Sequence, residues 1–386
     1  MEGDNRLNDW WAWEQAGRVP VVSGLACDQY RRFESDLDLA QSLAHNAYRF
    51  SIEWSRIEPS AGKYSEEALE HYSRVIRACR RRNIEPIVTL HHFTNPIWFA
   101  ARGGWVWRGA VEAFARYAQK AAERFGREVN WWVTLNEPTV LVYYGYLEGS
   151  WPPGERSLIK GAEVLRNLIS AHHQAYRAIH RLVPSAKVGL AHHMRCYEPC
   201  RRDSWKDRLS VAIRNRIGNR WTLRGCQGTM DFIGLNYYTR DFIRCGKGLA
   251  GLFGEPCAAE QARVHHPEIG ARNMLGWEVY PEGLRRLLLE LRRFRLPVLI
   301  TENGVCAEQD QLRSEFIRDH LKVVGDAIAG GAEVAGYLYW SLIDNFEWAD
   351  GFAPRFGLIE VDYATQQRRV RLSARQFAGW IRGNTK

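Results

Sequence analysis

The 386-residue sequence contains no long hydrophobic run, and this absence excludes a membrane-spanning helix. A span needs roughly 18 consecutive apolar residues, whereas even the longest apolar runs here, such as residues 129–133, are short. Residues 1–15 also lack the basic start and the continuous apolar stretch of a signal peptide. We therefore expect a soluble, cytoplasmic protein that has no membrane partner.

The sequence also lacks the closely spaced cysteine pairs of redox and zinc motifs. Its eight cysteines include no Cys-x-x-Cys pair, and a chain of this length can build a core without disulfides. Cys196 and Cys200, which follow His192 and His193, do not have a standard zinc spacing. We therefore expect reduced, mostly buried thiols rather than a metal site.

The excess of positive charge is not gathered into a patch. Lys and Arg number 53 against 44 Asp and Glu, which gives a net charge of +9. A nucleic-acid-binding protein concentrates its basic residues on one face, but here they are scattered over helical segments, as in residues 80–82, 201–202 and 292–293. We interpret them as solvated helix faces and expect no nucleic-acid partner.

No low-complexity tract or Pro/Gly/Ser-rich linker divides the chain, so we expect one domain over residues 1–386. Short β-rich runs alternate with longer helical stretches, which is the pattern of βα units around a parallel sheet. The predicted strands are residues 47–54, 85–92, 130–137, 187–193, 230–238, 297–304 and 334–342. The predicted helices are residues 34–44, 65–82, 110–125, 157–182, 281–294 and 313–330.

Each predicted strand ends in polar residues, for example His92, Asn136 and Asn236. Polar groups at the carboxyl ends of many parallel strands are typical of the catalytic face of a (β/α)₈ TIM barrel. An open doubly wound sheet is the alternative, but the sequence has no glycine-rich first turn. Only seven strands can be recognised, since the best further candidate, residues 19–22, contains Pro20. We therefore predict an α/β protein with an incomplete TIM barrel.

Two of these strand ends carry a glutamate, Glu137 and Glu302. They are far apart in the sequence, and only closure of the barrel brings them together. Two carboxylates facing each other across a barrel mouth are the equipment of glycoside hydrolysis, in which one protonates the leaving oxygen and the other attacks the anomeric carbon or activates water. From spacing alone, structural salt bridges at the barrel rim are an equal alternative.

The residues around both glutamates resemble the motifs of glycoside hydrolase family 1, the retaining β-glucosidases and β-galactosidases. The resemblance runs in order from about residue 2 to residue 380. It rests on five segments, residues 48–57, 136–138, 231–238, 301–304 and 339–348. It implies a TIM barrel, no cofactor and no metal, and hydrolysis of terminal β-D-glycosides with retention, with glucosides as the main substrates and galactosides or fucosides as further candidates.

The resemblance also implies a role for each matching residue. Glu137 matches the acid/base and Glu302 the nucleophile. Residues that support the nucleophile or contact the sugar 2-hydroxyl are matched by Arg49, Asn136, Asn236 and Tyr238. Sugar-contacting positions are matched by His92, Trp340, Glu347, Trp348 and Phe356, and a leaving-group-side aromatic is matched by Trp277.

The residue at position 347 separates two substrate classes of the family. Members that act on 6-phosphorylated sugars replace this carboxylate by a small residue and add a nearby lysine. Because the carboxylate of Glu347 would repel a phosphate, the resemblance implies neutral sugars despite the net positive charge.

The resemblance breaks at the amino-terminal end. Family members begin with a strand that ends in Gln-x-Glu-Gly, whose Gln binds two sugar hydroxyls, and residues 1–5 look like the end of that segment and the residues after it. The first strand is then missing, which agrees with the count of seven. Three interpretations stay open: the start reflects how the sequence is defined, another segment or subunit completes the barrel, or the chain is a weakly active or inactive relative that binds carbohydrate or serves in assembly.

A missing strand leaves two strand edges unpaired, and soluble proteins do not leave apolar edges bare. We expect strands 47–54 and 334–342 to flank the gap and to expose Phe50, Ile52, Tyr337 and Tyr339. Either residues 10–30 fold across the gap or a second subunit covers it, so we predict a homo-oligomer.

Overall fold

Twelve β-strands form in the part of the chain that the structure describes, and seven of them build the centre of the fold. The computed structural model describes residues 3–248 and 250–383. In chain order the strands are β1 (Ala47–Ser51), β2 (Glu85–His91), β3 (Trp131–Asn136), β4 (Lys187–His193), β5 (Cys196–Pro199), β6 (Ile233–Asn236), β7 (Arg240–Arg244), β8 (Glu255–Pro256), β9 (Val298–Asn303), β10 (Val334–Tyr339), β11 (Ile359–Val361) and β12 (Arg368–Val370).

The seven central strands are all parallel and follow the order β1-β2-β3-β4-β6-β9-β10. Each lies within one of the seven predicted runs. The inner strands are apolar through most of their length because both of their faces are buried, and every residue of β9 is buried. The predicted α/β barrel with seven strands is therefore confirmed.

Helices connect the strands, and six of them match the predicted helices to within five residues at each end, whereas the helices at residues 205–214 and 372–383 were not predicted. They are α1 (Asp9–Gln15), α2 (Gln29–Ser42), α3 (Trp54–Ile57), α4 (Glu66–Arg81), α5 (Ile97–Ala100), α6 (Ala110–Phe125), α7 (Pro138–Val142), α8 (Leu158–Leu182), α9 (Trp205–Arg214), α10 (Thr222–Gly225), α11 (Ala259–His265), α12 (Pro281–Leu291), α13 (Asp310–Ala329) and α14 (Leu372–Gly383). The start of α4 shows why a helix boundary can be predicted from the sequence. The Ser65 hydroxyl accepts a hydrogen bond from the amide of Ala68 and caps the helix. In the described ranges, none of these helices has the length and apolar composition that a bilayer crossing requires.

The hydrophobic patterns of the sequence did not predict the five strands outside the barrel sheet. Strands β5, β7 and β8 form a small separate sheet, and β11 and β12 form an antiparallel hairpin. These strands are two to five residues long, which is too short for a hydrophobic period to identify.

The small sheet accounts for an error about the cysteines. Cys200 just after β5 and Cys257 just after β8 form a disulfide, with their Cα atoms 5.9 Å apart. The expectation of reduced thiols throughout is therefore wrong for this pair. The partners are 57 residues apart in sequence and meet only through pairing of β5, β7 and β8, which was not predicted. The six other cysteines are free thiols.

The two ends of the strand order face each other across a slot. β1 and β10 are the end strands of the barrel sheet, as predicted for the strands that flank the gap. The slot has a volume of about 790 Å³, and its walls include Tyr48, Phe50, Tyr337 and Tyr339. All five residues of β1 are half-buried, whereas β2 and β9 are almost wholly buried. The slot therefore leaves two sheet edges without a neighbouring strand among the described residues.

Two expectations about the slot need correction. Ile52 is only 1% exposed, because it lies past the last residue of β1 and its amide donates to the carbonyl of Thr89, which turns its side chain into the main core. Residues 10–30 form the end of α1, turns and the start of α2, and Cys27 and Tyr30 border the slot without adding a strand to it. The part of the amino-terminal prediction that concerns residues 1 and 2 lies outside the described residues.

A buried carboxylate anchors the segment that follows β10. Asp344 is completely buried and accepts hydrogen bonds from Arg371 at 2.9 and 3.0 Å, from Arg355 at 3.3 Å and from the amide of Gly357 at 2.8 Å. A buried carboxylate is stable only when its oxygens are satisfied in this way. The anchor fixes the chain on both sides of Glu347, which lies within this segment.

Candidate active site

Two carboxylates occupy neighbouring positions at the carboxyl ends of the parallel strands. Glu302 belongs to β9, and Glu137 directly follows β3. Their residues are 4% and 8% exposed. Burying a charged carboxylate is costly unless neighbouring groups bind it or it takes up a proton. The neighbours of each glutamate therefore determine its protonation, and with it the chemistry of the site.

Glu302 is held by two hydrogen-bond donors, one for each carboxylate oxygen. Arg49 Nη1 donates to Oε1 at 2.7 Å, and the hydroxyl of Tyr238 donates to Oε2 at 2.6 Å. Burial and the charges of Glu302 and Glu137 hold the pKa of Tyr238 well above its usual value, so that Tyr238 remains a donor. Both contacts favour the ionised form of Glu302.

Arg49 connects three strands as well as holding Glu302. Its Nη2 donates to Asn136 Oδ1 at 2.6 Å and its Nε to the hydroxyl of Thr89 at 3.0 Å. These hydrogen bonds run from β1 to β3 and to β2. β1 borders the slot and has no neighbouring strand on that side among the described residues. The position of the Arg49 guanidinium therefore depends on its hydrogen bonds to the strands on the other side of β1.

Glu137 is in a different electrostatic environment. Burial, followed by the negative charge of Glu302, raises the pKa of Glu137 to about 8, so its carboxyl group is mostly protonated at neutral pH. Its backbone is in the left-handed region, with φ 46° and ψ 57°, and its amide donates to the carbonyl of Ala191 on β4 at 2.8 Å. This sharp turn directs the chain from β3 into α7 and leaves the side chain at the barrel mouth.

Two asparagines join the carboxylates into one network. Asn236 Nδ2 donates to Glu137 Oε1 at 2.8 Å and to Asn136 Oδ1 at 3.2 Å. The orientation of the Asn236 amide is fixed because its Oδ1 accepts from Thr301 at 2.6 Å. Thr301 was not predicted as a functional residue, although it lies in the segment that contains Glu302.

His92 is a neutral hydrogen-bonding residue of this network. The amide of Asn136 donates to Nε2 of His92 at 3.0 Å, so the ring proton lies on Nδ1, which faces the hydroxyl of Ser51 at 3.3 Å. Burial, with the charge of Arg49, holds the pKa of His92 well below its usual value. The ring thus stays uncharged.

Aromatic rings form the walls around this polar centre. The ring centroids of Trp340 and Trp348 lie 5.9 and 5.8 Å from that of His92. Those of Trp277 and Phe356 lie 5.5 and 6.1 Å from that of Tyr238. Flat apolar faces beside hydrogen-bonding groups suit the two kinds of surface of a pyranose ring. Further rings that the sequence did not suggest support Trp348, namely those of Trp10, Phe93 and Trp151.

Glu347 lies next to the Trp340 ring and accepts a hydrogen bond from its Nε1 at 3.3 Å. Burial raises the pKa of Glu347 to about 8, and the nearby charges of Glu302 and Asp350 add to this effect. The expectation that Glu347 acts as a simple carboxylate therefore needs refinement, since near neutral pH its carboxyl group is largely protonated. Hydrogen bonds and ring contacts thus connect all twelve residues that the sequence proposed for the site.

One group of possible metal ligands comes together within residues 3–248 and 250–383, and it consists of Glu198, His266 and Glu268. Arg240 donates to Glu198 at 3.2 Å, and Arg202 donates to Glu268 at 2.5 Å. Since arginines already balance both carboxylates, the group is an ion-pair network of the outer sheet.

The chain was also compared with known proteins. It matches the sequence profile described as Glycosyl hydrolase family 1 over residues 15–227 and 222–386. It is 30% identical over 401 residues to the 1,4-beta-D-glucan glucohydrolase of Thermotoga neapolitana, which covers 93% of this chain and 88% of that protein. It is 28% identical over 413 residues to the 6-phospho-beta-galactosidase of Clostridium acetobutylicum, covering 91% and 86%. The solved beta-glycosidase from Pyrococcus horikoshii superposes with a TM-score of 0.93 at 39% identity, covering 99% of this chain and 91% of that one.

Proposed function

The chain belongs to glycosyl hydrolase family 1 and hydrolyses β-glycosides, and we propose that Glu302 is the nucleophile and Glu137 the acid/base of a retaining reaction. The observation that carries these assignments is the contrast between the two carboxyl groups. Glu302 has a cation and a phenol as donors, whereas burial and a neighbouring negative charge keep a proton on Glu137. A nucleophile must be ionised and an acid must be protonated.

In the first step, a carboxylate oxygen of Glu302 attacks the anomeric carbon. The bond from that carbon to the leaving oxygen breaks, and the leaving oxygen takes the proton of Glu137. The hydrogen bond from Tyr238 and the charge of Arg49 hold the attacking group in place. The product is a glycosyl ester on Glu302 and a free alcohol.

In the second step, Glu137 acts as the base. Ester formation removes the negative charge of Glu302, which is one of the two causes of the raised pKa of Glu137. The pKa of Glu137 then falls, and its carboxylate takes a proton from water while the water oxygen attacks the anomeric carbon. The bond to Glu302 breaks, and the sugar leaves with its original configuration.

The protonation of Glu137 predicts a pH profile that depends on the leaving group. With phenyl β-glucoside, kcat/KM should fall as the pH rises above about 8, because Glu137 loses the proton that the leaving oxygen needs. With 2,4-dinitrophenyl β-glucoside, whose leaving group needs no proton, this decline should be absent. Glu137→Gln should lower kcat/KM for the phenyl glucoside by about 10²–10⁴-fold, the range of general acid catalysis, and that for the dinitrophenyl glucoside far less. A decline of equal size with both substrates would assign the titration to another group, such as Glu347, and contradict the role of Glu137.

We propose neutral, non-phosphorylated sugars as substrates, with glucosides first and galactosides or fucosides next. The support is the charge around Glu347, since the charged groups that raise its pKa, Glu302 and Asp350, are both acidic. A phosphate dianion at this position would be repelled.

The acidic charge near Glu347 predicts a preference for neutral glucosides over their 6-phosphates. The kcat/KM for p-nitrophenyl β-glucoside should exceed that for its 6-phosphate by at least about tenfold, a modest estimate for a charge pair near a protein surface. Asp350→Asn, which removes one of these two acidic groups, should narrow this ratio, whereas Asp319→Asn, a surface change on α13, should leave it unchanged. A wild-type preference for the phosphorylated substrate would exclude the neutral class.

The slot between β1 and β10 supports a proposal about assembly. We propose that the chain acts as one cytoplasmic barrel domain and that a second subunit covers this slot, giving a homo-oligomer. Exposed strand edges with half-buried aromatic rings are covered in most soluble proteins. Here the rings are those of Tyr48, Phe50, Tyr337 and Tyr339.

Light scattering coupled to size-exclusion chromatography should therefore find a mass above that of one chain at micromolar concentration. Ala335→Lys, which puts a charge on an exposed position of β10 beside the slot, should shift the protein towards the monomer. Ala364→Lys, on an exposed turn away from the slot, is the matched control and should not. A wild-type protein that is monomeric at these concentrations would refute the oligomer.

A further inference from the structure

A buried hydrogen bond between Thr301 and Asn236 joins β9 to β6 beside the two catalytic carboxyl groups. The Thr301 hydroxyl donates to Asn236 Oδ1 at 2.6 Å, and the two strands are parallel neighbours in the barrel sheet. Thr301 is 2% exposed and Asn236 is completely buried, so neither side chain can exchange this bond for one to bulk water. Thr301 directly precedes Glu302 in the sequence, yet its hydroxyl acts on the site through Asn236.

The direction of the Asn236 amide determines what it offers to Glu137. A primary amide has a donor end and an acceptor end. Asn236 Nδ2 donates to Glu137 Oε1 at 2.8 Å and to Asn136 Oδ1 at 3.2 Å, whereas its Oδ1 faces Thr301. Asn136 Oδ1 is itself oriented by Arg49, which donates to it at 2.6 Å. In this direction, the amide gives Glu137 a donor, which favours the ionised form of the carboxyl group.

Removal of the Thr301 hydroxyl would leave Asn236 Oδ1 buried without its donor. An unsatisfied buried carbonyl is costly, and rotation of the amide by half a turn would bring Oδ1 to the carboxyl group of Glu137. The bond to Asn136 opposes this rotation, but at 3.2 Å it is weaker than the 2.6 Å bond from Thr301. After the rotation, Oδ1 accepts the proton of Glu137 and so favours the neutral form.

The other influences on Glu137 act without Thr301. Burial and the charge of Glu302 raise the pKa of Glu137, and the hydrogen bond from Asn236 lowers it. In the proposed reaction, esterification of Glu302 removes one of the two raising causes, and the bond from Asn236 then helps Glu137 to ionise. The charged and titratable groups that face Glu137 are Glu302 on β9, Arg49 on β1, Arg195 after β4 and Tyr238 after β6.

We propose that Thr301 is a positioning residue, which fixes the direction of the Asn236 amide and thereby enables Glu137 to act as the base of the second step. This inference rests on the proposed roles of Glu137 and Glu302. The contribution of Thr301 therefore falls on hydrolysis of the glycosyl ester rather than on its formation.

The test uses a substrate whose first step needs no acid, so that the second step limits turnover. With 2,4-dinitrophenyl β-glucoside, Thr301→Val should lower kcat and KM together by about tenfold, a part of the 10²–10⁴-fold contribution of a general base, because the glycosyl ester accumulates. The ratio kcat/KM, which reports the first step with this substrate, should change little. Thr301→Ser, which retains the hydroxyl, should keep most of the wild-type kcat.

Thr222→Val is the matched control. Thr222 lies in α10 and is 1% exposed, and its hydroxyl has no hydrogen-bond partner within residues 3–248 and 250–383. The substitution therefore removes a buried threonine hydroxyl without changing a hydrogen bond of the site. It should leave both kcat and KM for the dinitrophenyl glucoside unchanged.

Two further measurements separate positioning from a loss of stability. Azide attacks the anomeric carbon without a base, the bond to Glu302 breaks and β-glucosyl azide is released, so azide should restore the kcat of Thr301→Val. With phenyl β-glucoside, the alkaline decline of kcat/KM should move to higher pH in Thr301→Val, because the turned amide favours the protonated form of Glu137.

The outcomes for Thr301 and for the proposed function are distinct. Failure of the wild-type protein to hydrolyse the dinitrophenyl glucoside would refute the proposed function. In an active wild-type protein, an unchanged kcat of Thr301→Val, a fall in kcat with unchanged KM, or a loss that azide does not relieve would overturn the role of Thr301. If Thr301→Val does not fold, Thr301→Ala also removes the hydroxyl and carries the same expectations.

Discussion

The ion pair between Arg49 and Glu302 is the interaction on which the rest of the site depends. The Arg49 guanidinium holds Glu302, orients Asn136 and is itself fixed by Thr89, so residues from β1, β2, β3 and β9 share a single geometry. Both side chains of the pair are 5% exposed. Breaking such a buried pair from one side leaves an uncompensated charge, which costs about 3–5 kcal/mol. The same contact that stabilises the barrel mouth therefore places a cation on the carboxylate of Glu302.

The charge of Glu302 in turn controls its neighbours. Burial raises the pKa of both Glu137 and Glu347, and the charge of Glu302 adds to this effect, so that both pKa values reach about 8. The carboxyl group that has two hydrogen-bond donors is thus the one whose charge raises the pKa of the other two. In the proposed reaction, esterification of Glu302 removes its negative charge, so the two steps use one electrostatic arrangement in its two states.

The barrel, and with it the meeting of Glu137 and Glu302 at the strand ends, could be predicted from the sequence because the strands have recognisable local patterns. Buried parallel strands are apolar along their length, and the segments around Glu137 and Glu302 resemble family motifs residue by residue, although their hydrogen-bond partners Arg49, Tyr238 and Asn236 come from other strands. The errors arose where contacts join distant parts of the chain. The Cys200–Cys257 disulfide requires a sheet of very short strands, and Ile52 is turned into the core by one backbone hydrogen bond.

Trapping the covalent intermediate tests the assignment of Glu302 most directly. The protein would be incubated with 2,4-dinitrophenyl 2-deoxy-2-fluoro-β-glucoside, in which fluorine slows both steps and the good leaving group preserves the first, and its proteolytic peptides would be sequenced by mass spectrometry. We expect one fluoroglucosyl group on Glu302 and none in Glu302→Gln. A label on a different residue, or turnover with no covalent adduct and inversion at the anomeric carbon, would contradict the role given to the Arg49–Glu302 pair.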